Sequence, residues 1–302
     1  MYHHILVPLD GSQLAESALP AALFMAETSG ADVTLFHVIE RNAPQKIHGE
    51  RHLTNPIEAA SYLEELKGQA FSPNVKVKFH VHEEAAENVA ESIAEHSGEL
   101  KPDLIVMCTH GSGGLRELFF GSIARKVITL SIIPLLLIHP TENTPQAIFQ
   151  CSRMLVPLDA DTAHEEGFFT AMKIAQLCGA SLSLIMAVPT FGSLTGEWAA
   201  AGKLMPWTAG ELLDIAEQEA GEYLQRRVRE AIEKGIPTEG KVVRGDPSES
   251  IIKEAGEQNS DLVVMGTHAR AGFDAFWSGS VAGKVMFHIE KPMLLIPVKL
   301  AP

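Results

Sequence analysis

Two stretches of this chain occur twice, in the same order. Ile5-Leu-Val-Pro-Leu-Asp10 returns as Met154-Leu-Val-Pro-Leu-Asp159. Met107-Cys-Thr-His-Gly111, followed by Gly121-Ser122, returns as Met265-Gly-Thr-His-Ala269, followed by Gly279-Ser280. Both words recur at a spacing of roughly 150 residues, which makes the chain an internal duplication and each half a template for the other. A chain of 302 residues then divides into two domains, each long enough to bury its own core. The expected boundaries are 1–141 and 153–302, with residues 142–152, which include Pro145 and several polar side chains, as the linker.

Within each half, short apolar runs rich in β-branched residues alternate with longer amphipathic stretches. This is the pattern of an α/β fold, a parallel sheet covered by helices on both faces. Strands are predicted at 5–10, 33–39, 75–81, 104–109 and 135–139, and again at 155–159, 182–188, 240–243, 262–267 and 293–298. Most are nearly continuous apolar runs, as strands buried on both faces require. The fold class is therefore two tandem, doubly wound, five-stranded parallel-sheet domains. Ser12 is placed to cap a helix that ends near Gly30 and is kinked by Pro20. Thr162 and Glu165 have capping-box spacing for the equivalent helix, which stops near Gly179. Residues 211–234 read as a long surface helix. Residues 191–210, rich in Gly, Ala and Thr, have no counterpart in the first half and read as a surface insertion or lid.

Bulk properties exclude some functions. The formal net charge of −14, without a cluster of Lys and Arg, argues against nucleic acid. The longest apolar run near the middle, residues 132–138, is far too short to span a bilayer. The chain opens directly into a strand with no leader pattern, and Cys108, Cys151 and Cys178 lack metal-type spacing, so a cytoplasmic protein with reduced thiols is expected.

The candidate chemistry lies at the carboxyl ends of the strands, where doubly wound sheets bind ligands. Asp10 and Asp159 close the first strand of each half, where a carboxylate can meet a ribose hydroxyl or a metal ion, or simply face a helix N-terminus. The fourth strand of the first half opens into a glycine-rich loop that leads to Gly121-Ser122 at the start of a helix. Backbone N–H groups freed of Cβ, the positive end of a helix and a serine hydroxyl together make a phosphate cradle that needs no lysine. It is neither a Walker A loop nor a dinucleotide fingerprint. Thr109-His110 and Thr267-His268 recur beside the two cradles, as hydrogen-bond donors or as loop-shaping residues. His80 and His82, on one strand face, have the side chains for zinc if His110 or Cys108 joins them. Cys108 is either a redox-sensitive thiol or a small buried hydrophobe.

These residues resemble the universal stress protein family in its tandem form, over essentially the whole chain. Nucleotide-binding members of that family carry Gly-x2-Gly-x9-Gly-Ser/Thr after the fourth strand and an Asp closing the first. The resemblance implies an adenine nucleotide alpha hydrolase-like fold and an internal pseudo-dimer in which residues 135–139 face residues 293–298, with a further homodimer as an option. It implies ATP, with or without Mg2+, as the ligand. The implied contacts are Pro8, Asp10, Val38, Thr109, Gly111, Gly121, Ser122 and Ile123 in the first half. In the second half they are Pro157, Asp159, Ala187, Val188, Gly266, Thr267, His268, Gly279, Ser280 and Val281. Residues 37–39 and 187–188 would border the adenine.

Neither half keeps the whole motif: Cys108 replaces the first glycine of one and Ala269 the second glycine of the other. Arg244-Gly-Asp-Pro-Ser248 follows the third strand of the second half in the family's usual form. The first half instead carries His82-Glu-Glu-Ala-Ala, two carboxylates where a phosphate tail would approach, which favours the second half as the nucleotide site. The expected function is a stress-response sensor or regulator that binds an adenine nucleotide. No side-chain pair is placed as general base and nucleophile, so at most slow hydrolysis is expected. The alternatives are a nucleotide-free interaction scaffold and a phosphoryl- or nucleotidyl-transfer enzyme drawing on Arg116, Arg125, Lys126 or Arg270.

Overall fold

The strands predicted from sequence all form, and their order in the sheet decides where a ligand can sit. A computed structural model describes residues 1–43, 46–47, 50–109, 121–139, 148–162, 164–192, 206–267 and 280–298. The chain separates into two compact units. The first consists mainly of residues 1–150 joined by residues 292–297, and the second mainly of residues 151–267 and 277–291.

In the first unit the elements are β1 (His4–Pro8), α1 (Gln13–Glu16), α2 (Leu19–Ser29), β2 (Asp32–Glu40), β3 (Lys46–Ile47), β4 (Glu50–Arg51), α3 (Pro56–Ala70), β5 (Val77–Ala86), α4 (Val89–Leu100), β6 (Leu104–Cys108), α5 (Ser122–Leu130) and β7 (Leu135–Ile138). In the second half follow β8 (Arg153–Leu158), α6 (Glu165–Cys178), β9 (Ser181–Val188), α7 (Pro206–Glu233), β10 (Thr238–Arg244), α8 (Pro247–Glu257), β11 (Leu262–Thr267), α9 (Val281–His288) and β12 (Met293–Pro297).

The first unit's main sheet runs β5-β2-β1-β6-β7-β12. The first five strands are parallel, with His4 opposite Asp32, Val33 opposite Val77, Ile5 opposite Leu104 and Ile105 opposite Leu135. β12 runs antiparallel on β7, Met293 opposite Leu137 and Leu295 opposite Leu135. The expected facing of the two final strands is thus present. Ile5, Leu6, Val7, Leu104, Ile105, Val106, Leu135, Leu136 and Leu137 are buried, the signature of strands covered on both faces. β2 and β6 leave β1 in opposite directions, so the strand order reverses beside β1 and opens a crevice at the carboxyl ends. The second unit repeats this as β10-β9-β8-β11, reversing beside β8.

Local sequence explains most helix ends and corrects several expectations. Ser12 caps α1 by accepting from the Ala15 N–H at 3.2 Å. The predicted kink is a break: α1 ends at Glu16 and α2 restarts with Pro20 in its first turn, where a missing N–H costs nothing. Gly30 and Gly179 end α2 and α6 in the left-handed conformation that glycine adopts without strain. The predicted capping box at Thr162 and Glu165 does not form. α6 begins at Glu165 behind His164, with no side-chain cap, because Glu165 is taken by other partners. The third strand runs on to Ala86, so His82, Glu83 and Glu84 lie in β5 rather than in a turn. Residues 193–205, most of the asymmetric insertion, fall outside the described residues, and the long helix α7 begins directly after them.

Two contacts in the second unit fix α6 against the sheet and against its neighbouring helix. Gly167 of α6 lies against β11, where a Cβ would come within 2.9 Å of the Gly266 amide nitrogen. Glu165, almost wholly buried, accepts from the Tyr223 hydroxyl at 2.7 Å and from the Arg227 guanidinium at 2.5 Å, tying α6 to α7. Removing one partner of such a pair leaves a buried charge uncompensated. Arg227→Met is therefore expected to lower unfolding stability by about 3 kcal/mol, measured by urea denaturation, and Glu165→Gln in the same background to restore part of the loss.

Candidate functional site

A cavity of about 120 Å³ opens at the carboxyl ends of β1, β2 and β6, at the point where the strand order reverses. That volume compares with the roughly 150 Å³ that holds a benzene ring in other proteins, so it suits a planar heterocycle. Its wall combines Pro8 and Asp10 after β1, Phe36, Val38 and Glu40 of β2, and His52 from the β2–α3 connection. Val89 and Ile93 of α4, Met107 and Cys108 of β6, and Gly121, Ser122 and Ile123 at the head of α5 complete it. Of the residues selected in the first half, Pro8, Asp10, Val38, Gly121, Ser122 and Ile123 meet here.

The period of two along β2 corrects the expected adenine border. Phe36, Val38 and Glu40 face the cavity, whereas His37 points to the other face. There the buried His37 ring lies between the Leu9 carbonyl, 2.8 Å from Nδ1, and the Leu53 carbonyl, 3.0 Å from Nε2. Leu53 in turn packs over Gly11, where a Cβ would come within 2.7 Å of it and φ is +89°. His37 and Gly11 thus set the path of the chain leaving β1.

Asp10 is shaped by the same turn. Its Oδ1 accepts from the Ser12 amide at 2.9 Å and the Ser12 hydroxyl at 2.6 Å. Thr109 is buried and does not line the cavity. Its amide donates to the Ile138 carbonyl at 3.0 Å, its hydroxyl lies 3.1 Å from His139 Nδ1, and its carbonyl accepts from Gly121 at 2.7 Å. Those bonds hold residues 109 and 121, the two flanks of the intervening segment, together. Gly111 and His110 lie outside the described residues. At the head of α5, Gly121 is the N-cap residue, and among the described residues no side chain caps the first N–H groups.

The second half departs from this at two places. Ser280 caps its own helix α9, accepting from the Gly283 amide at 2.9 Å, with Val281 as the first helical residue. Asp159 accepts from the Asp161 amide at 3.0 Å and pairs with His164 Nδ1 at 2.6 Å. Between them Ala160 holds φ at +62°, where the first half has Gly11. Pro157 is half-buried in β8, Ala187 and Val188 end β9, and Gly266 and Thr267 end β11. Gly266 is covered by the His164 backbone, whose carbonyl oxygen would lie 2.8 Å from a Cβ at that position. His268 and Gly279 lie outside the described residues. Arg244 is held by Glu217 and Asp214 of α7, and Asp246 caps α8 by accepting from the amides of Ser248 and Glu249.

The carboxylates suspected of repelling a phosphate in the first half do not approach the cavity. Glu83 and Glu84 are exposed on β5, the edge strand, and are not part of the wall. Of the residues considered for zinc, His110 lies outside the described residues. Among the described residues no group of three or more His, Cys, Asp or Glu has metal-holding geometry. The rings of His80 and His82 pack against His96 of α4, one tilted and one edge-on, with ring centres 5.2 and 4.8 Å apart. The sequence reading missed His52, Glu40 and the α4 residues. Val89 and Ile93 carry an i, i+4 apolar spacing that could have marked that wall, but nothing in the sequence marks His52.

A family model described as the universal stress protein family matches residues 1–139 and again 151–297. The chain belongs to the universal stress protein family. Universal stress protein YxiE of Bacillus subtilis is 27% identical over 152 residues, covering 46% of this chain and all of that protein. A universal stress protein of Mycolicibacterium smegmatis is 23% identical over 311 residues, covering 97% of this chain and 96% of its own length, so the tandem form is shared. A solved structure of a functionally unknown protein from Pseudomonas aeruginosa has the same fold, with a TM-score of 0.69, 19% identity, and coverage of 98% of this chain and 93% of that one. Among the described residues no helix is long and apolar enough to cross a membrane.

The Asp159–His164 pair carries a pH signature. The hydrogen bond to Asp159 raises the His164 imidazole above its ordinary value despite partial desolvation. Burial pushes the Asp159 carboxyl up, yet the hydrogen bond and charge of His164 outweigh it and hold the group below the usual carboxylate value. A raised histidine contributes stability that is present below its unfolded value and lost as pH rises through the folded one. A depressed carboxylate contributes stability that is lost as pH falls through its folded value. The pair thus works between the ordinary carboxyl and imidazole ranges. His164→Asn is expected to lower the melting temperature at about pH 5.5 and to have a smaller effect at about pH 9, read by calorimetry at both.

Proposed function

We propose that this universal stress protein binds an adenine nucleotide in the cavity of its first unit and acts as a cytoplasmic sensor or regulator rather than a rapid enzyme. The observation that carries this reading is the convergence of Pro8, Asp10, Val38, Gly121, Ser122 and Ile123 on one ring-sized cavity at the strand-order reversal. The heterocycle would lie between Val38 and the α4 residues Val89 and Ile93, the ribose near Asp10, and the phosphates at the head of α5. Two differences move the preference from the second half to the first. Among the described residues no side chain caps α5, whereas Ser280 caps α9, and Glu83 and Glu84 stand away from the wall.

The charges on the wall define how the phosphates would be held. Among the described lining residues Asp10 and Glu40 are acidic and none is Lys or Arg. Backbone N–H groups and the positive end of α5 are then the protein's own contribution to an anion. A Mg2+ ion carried in by the phosphates would offset the remaining charge, and Asp10 and Glu40 are the carboxylates of the described wall that would meet it.

Calorimetric titration of nucleotide-stripped protein with ATP and Mg2+ tests the site. Gly121→Glu is expected to weaken binding at least tenfold, about 1.4 kcal/mol, and Gly279→Glu to leave it within a few-fold. A loss only in Gly279→Glu would move the site to the second half, and equal losses would overturn a site confined to the first. The same titration without Mg2+ is expected to weaken ATP strongly and adenosine hardly at all, because only the phosphates meet uncompensated carboxylates. The pairing of β12 on β7 favours a second reading, a nucleotide-free scaffold, and absence of binding by the folded, intact chain would leave that reading standing.

A further inference from the structure

The cysteines at the amino end of the second unit's sheet form a cluster that the nucleotide reading does not use. Cys151 is buried just ahead of β8, and Cys178 is half-buried in the last turn of α6. The parallel register of β8 and β9 pairs Arg153 with Ser181, and the Ser181 amide donates to the Ser152 carbonyl at 2.9 Å. Those bonds draw the two cysteine-bearing segments together. The Cys178 thiol lies 3.2 Å from the Cys151 carbonyl oxygen and 3.1 Å from that of Ile174. Both cysteines are free thiols.

We propose that Cys151 and Cys178 are a reversible redox site: a dithiol that hydroperoxides oxidise to an intramolecular disulfide, with Cys178 attacked first and Cys151 resolving it. Their placement assigns the two roles. Cys178 has access to solvent through the exposed end of α6, beside Gln176 and Leu177, whereas Cys151 is buried. The Cys151 thiol, as donor, holds Cys178 down to about 7, helped by backbone N–H groups and opposed by desolvation. The same contact, with burial, pushes Cys151 up. A depressed, partly accessible thiolate beside a second thiol is the arrangement from which a peroxide-sensitive pair is built.

The electrons balance without a further co-reactant. The Cys178 thiolate attacks one oxygen of hydrogen peroxide, the O–O bond breaks, and the departing oxygen leaves as water after taking a proton. Cys178 becomes a sulfenic acid. The Cys151 sulfur then attacks the Cys178 sulfur, its thiol proton leaves with the sulfenic hydroxyl as a second water, and the S–S bond forms. Two thiols are oxidised by two electrons and one peroxide is reduced to two waters. Thiol–disulfide exchange with an external dithiol restores the starting state.

Peptide mapping of the reduced, full-length protein after graded hydrogen peroxide and rapid alkylation tests this directly. The expected product is a cross-linked Cys151–Cys178 peptide, lighter by two hydrogens, that dithiothreitol reverses while Cys108 stays alkylatable. Its rate of formation should rise as pH passes through about 7. Cys151→Ser, checked for a native melting curve, should divert Cys178 to sulfinic acid, since nothing remains to resolve the sulfenic acid. Cys178 still alkylatable after peroxide, over-oxidised in the unmodified protein with Cys151 intact, or linked to Cys108 instead would overturn the assignment.

Discussion

A parallel sheet that buries both faces under helices leaves its chemistry nowhere to go but the ends of the strands. Ile5 to Val7 and Leu104 to Val106 carry no side chain that meets water, so every polar group able to act on a ligand follows them in the chain. The place where β2 and β6 diverge from β1 is then the natural opening, because no crossing helix covers both sides of it. Asp10, Val38, Gly121 and Ser122 come from distant parts of the sequence and share one wall for that reason. The opposite ends of the strands are equally constrained, and in the second unit that brings Cys151 and Cys178 together.

Duplication made two such openings, and local polar chemistry has separated them. The first unit keeps glycine at the strained turn after β1 and a small Asp10–Ser12 turn, and among the described residues no side chain caps the head of α5. The second has placed Ala160 at positive φ, occupied its aspartate with His164 and used Ser280 on its own helix. In the second half the aspartate and the Ser280 hydroxyl are thus engaged by their own neighbours in the chain, while the strands and helices around them are kept.

The pH-dependent and redox-sensitive elements of the second unit fit the same division. Asp159 and His164 stand at one end of its sheet and the dithiol at the other, both in the half whose opening is more fully self-satisfied. The first unit concentrates the ring-sized cavity, an acidic wall and a helix start.

Sequence alone determined the duplication, the α/β class and the strands within a few residues, since each rests on local periodicity and on apolar runs that report burial directly. It also marked Asp10, Gly121 and Ser122, whose types and order follow from backbone chemistry at strand ends and helix starts. Tertiary structure decided what pattern cannot carry: that His37 points away from the cavity while Val38 faces it, that Thr109 bonds to Gly121, and that Glu83 and Glu84 continue an edge strand. It decided too that Ser280 answers its own helix, and that His52, Cys151 and Cys178 have neighbours worth noticing. Those facts depend on which groups meet across the fold, and a hydrogen bond between residues far apart in sequence leaves no trace in the order of either one's neighbours.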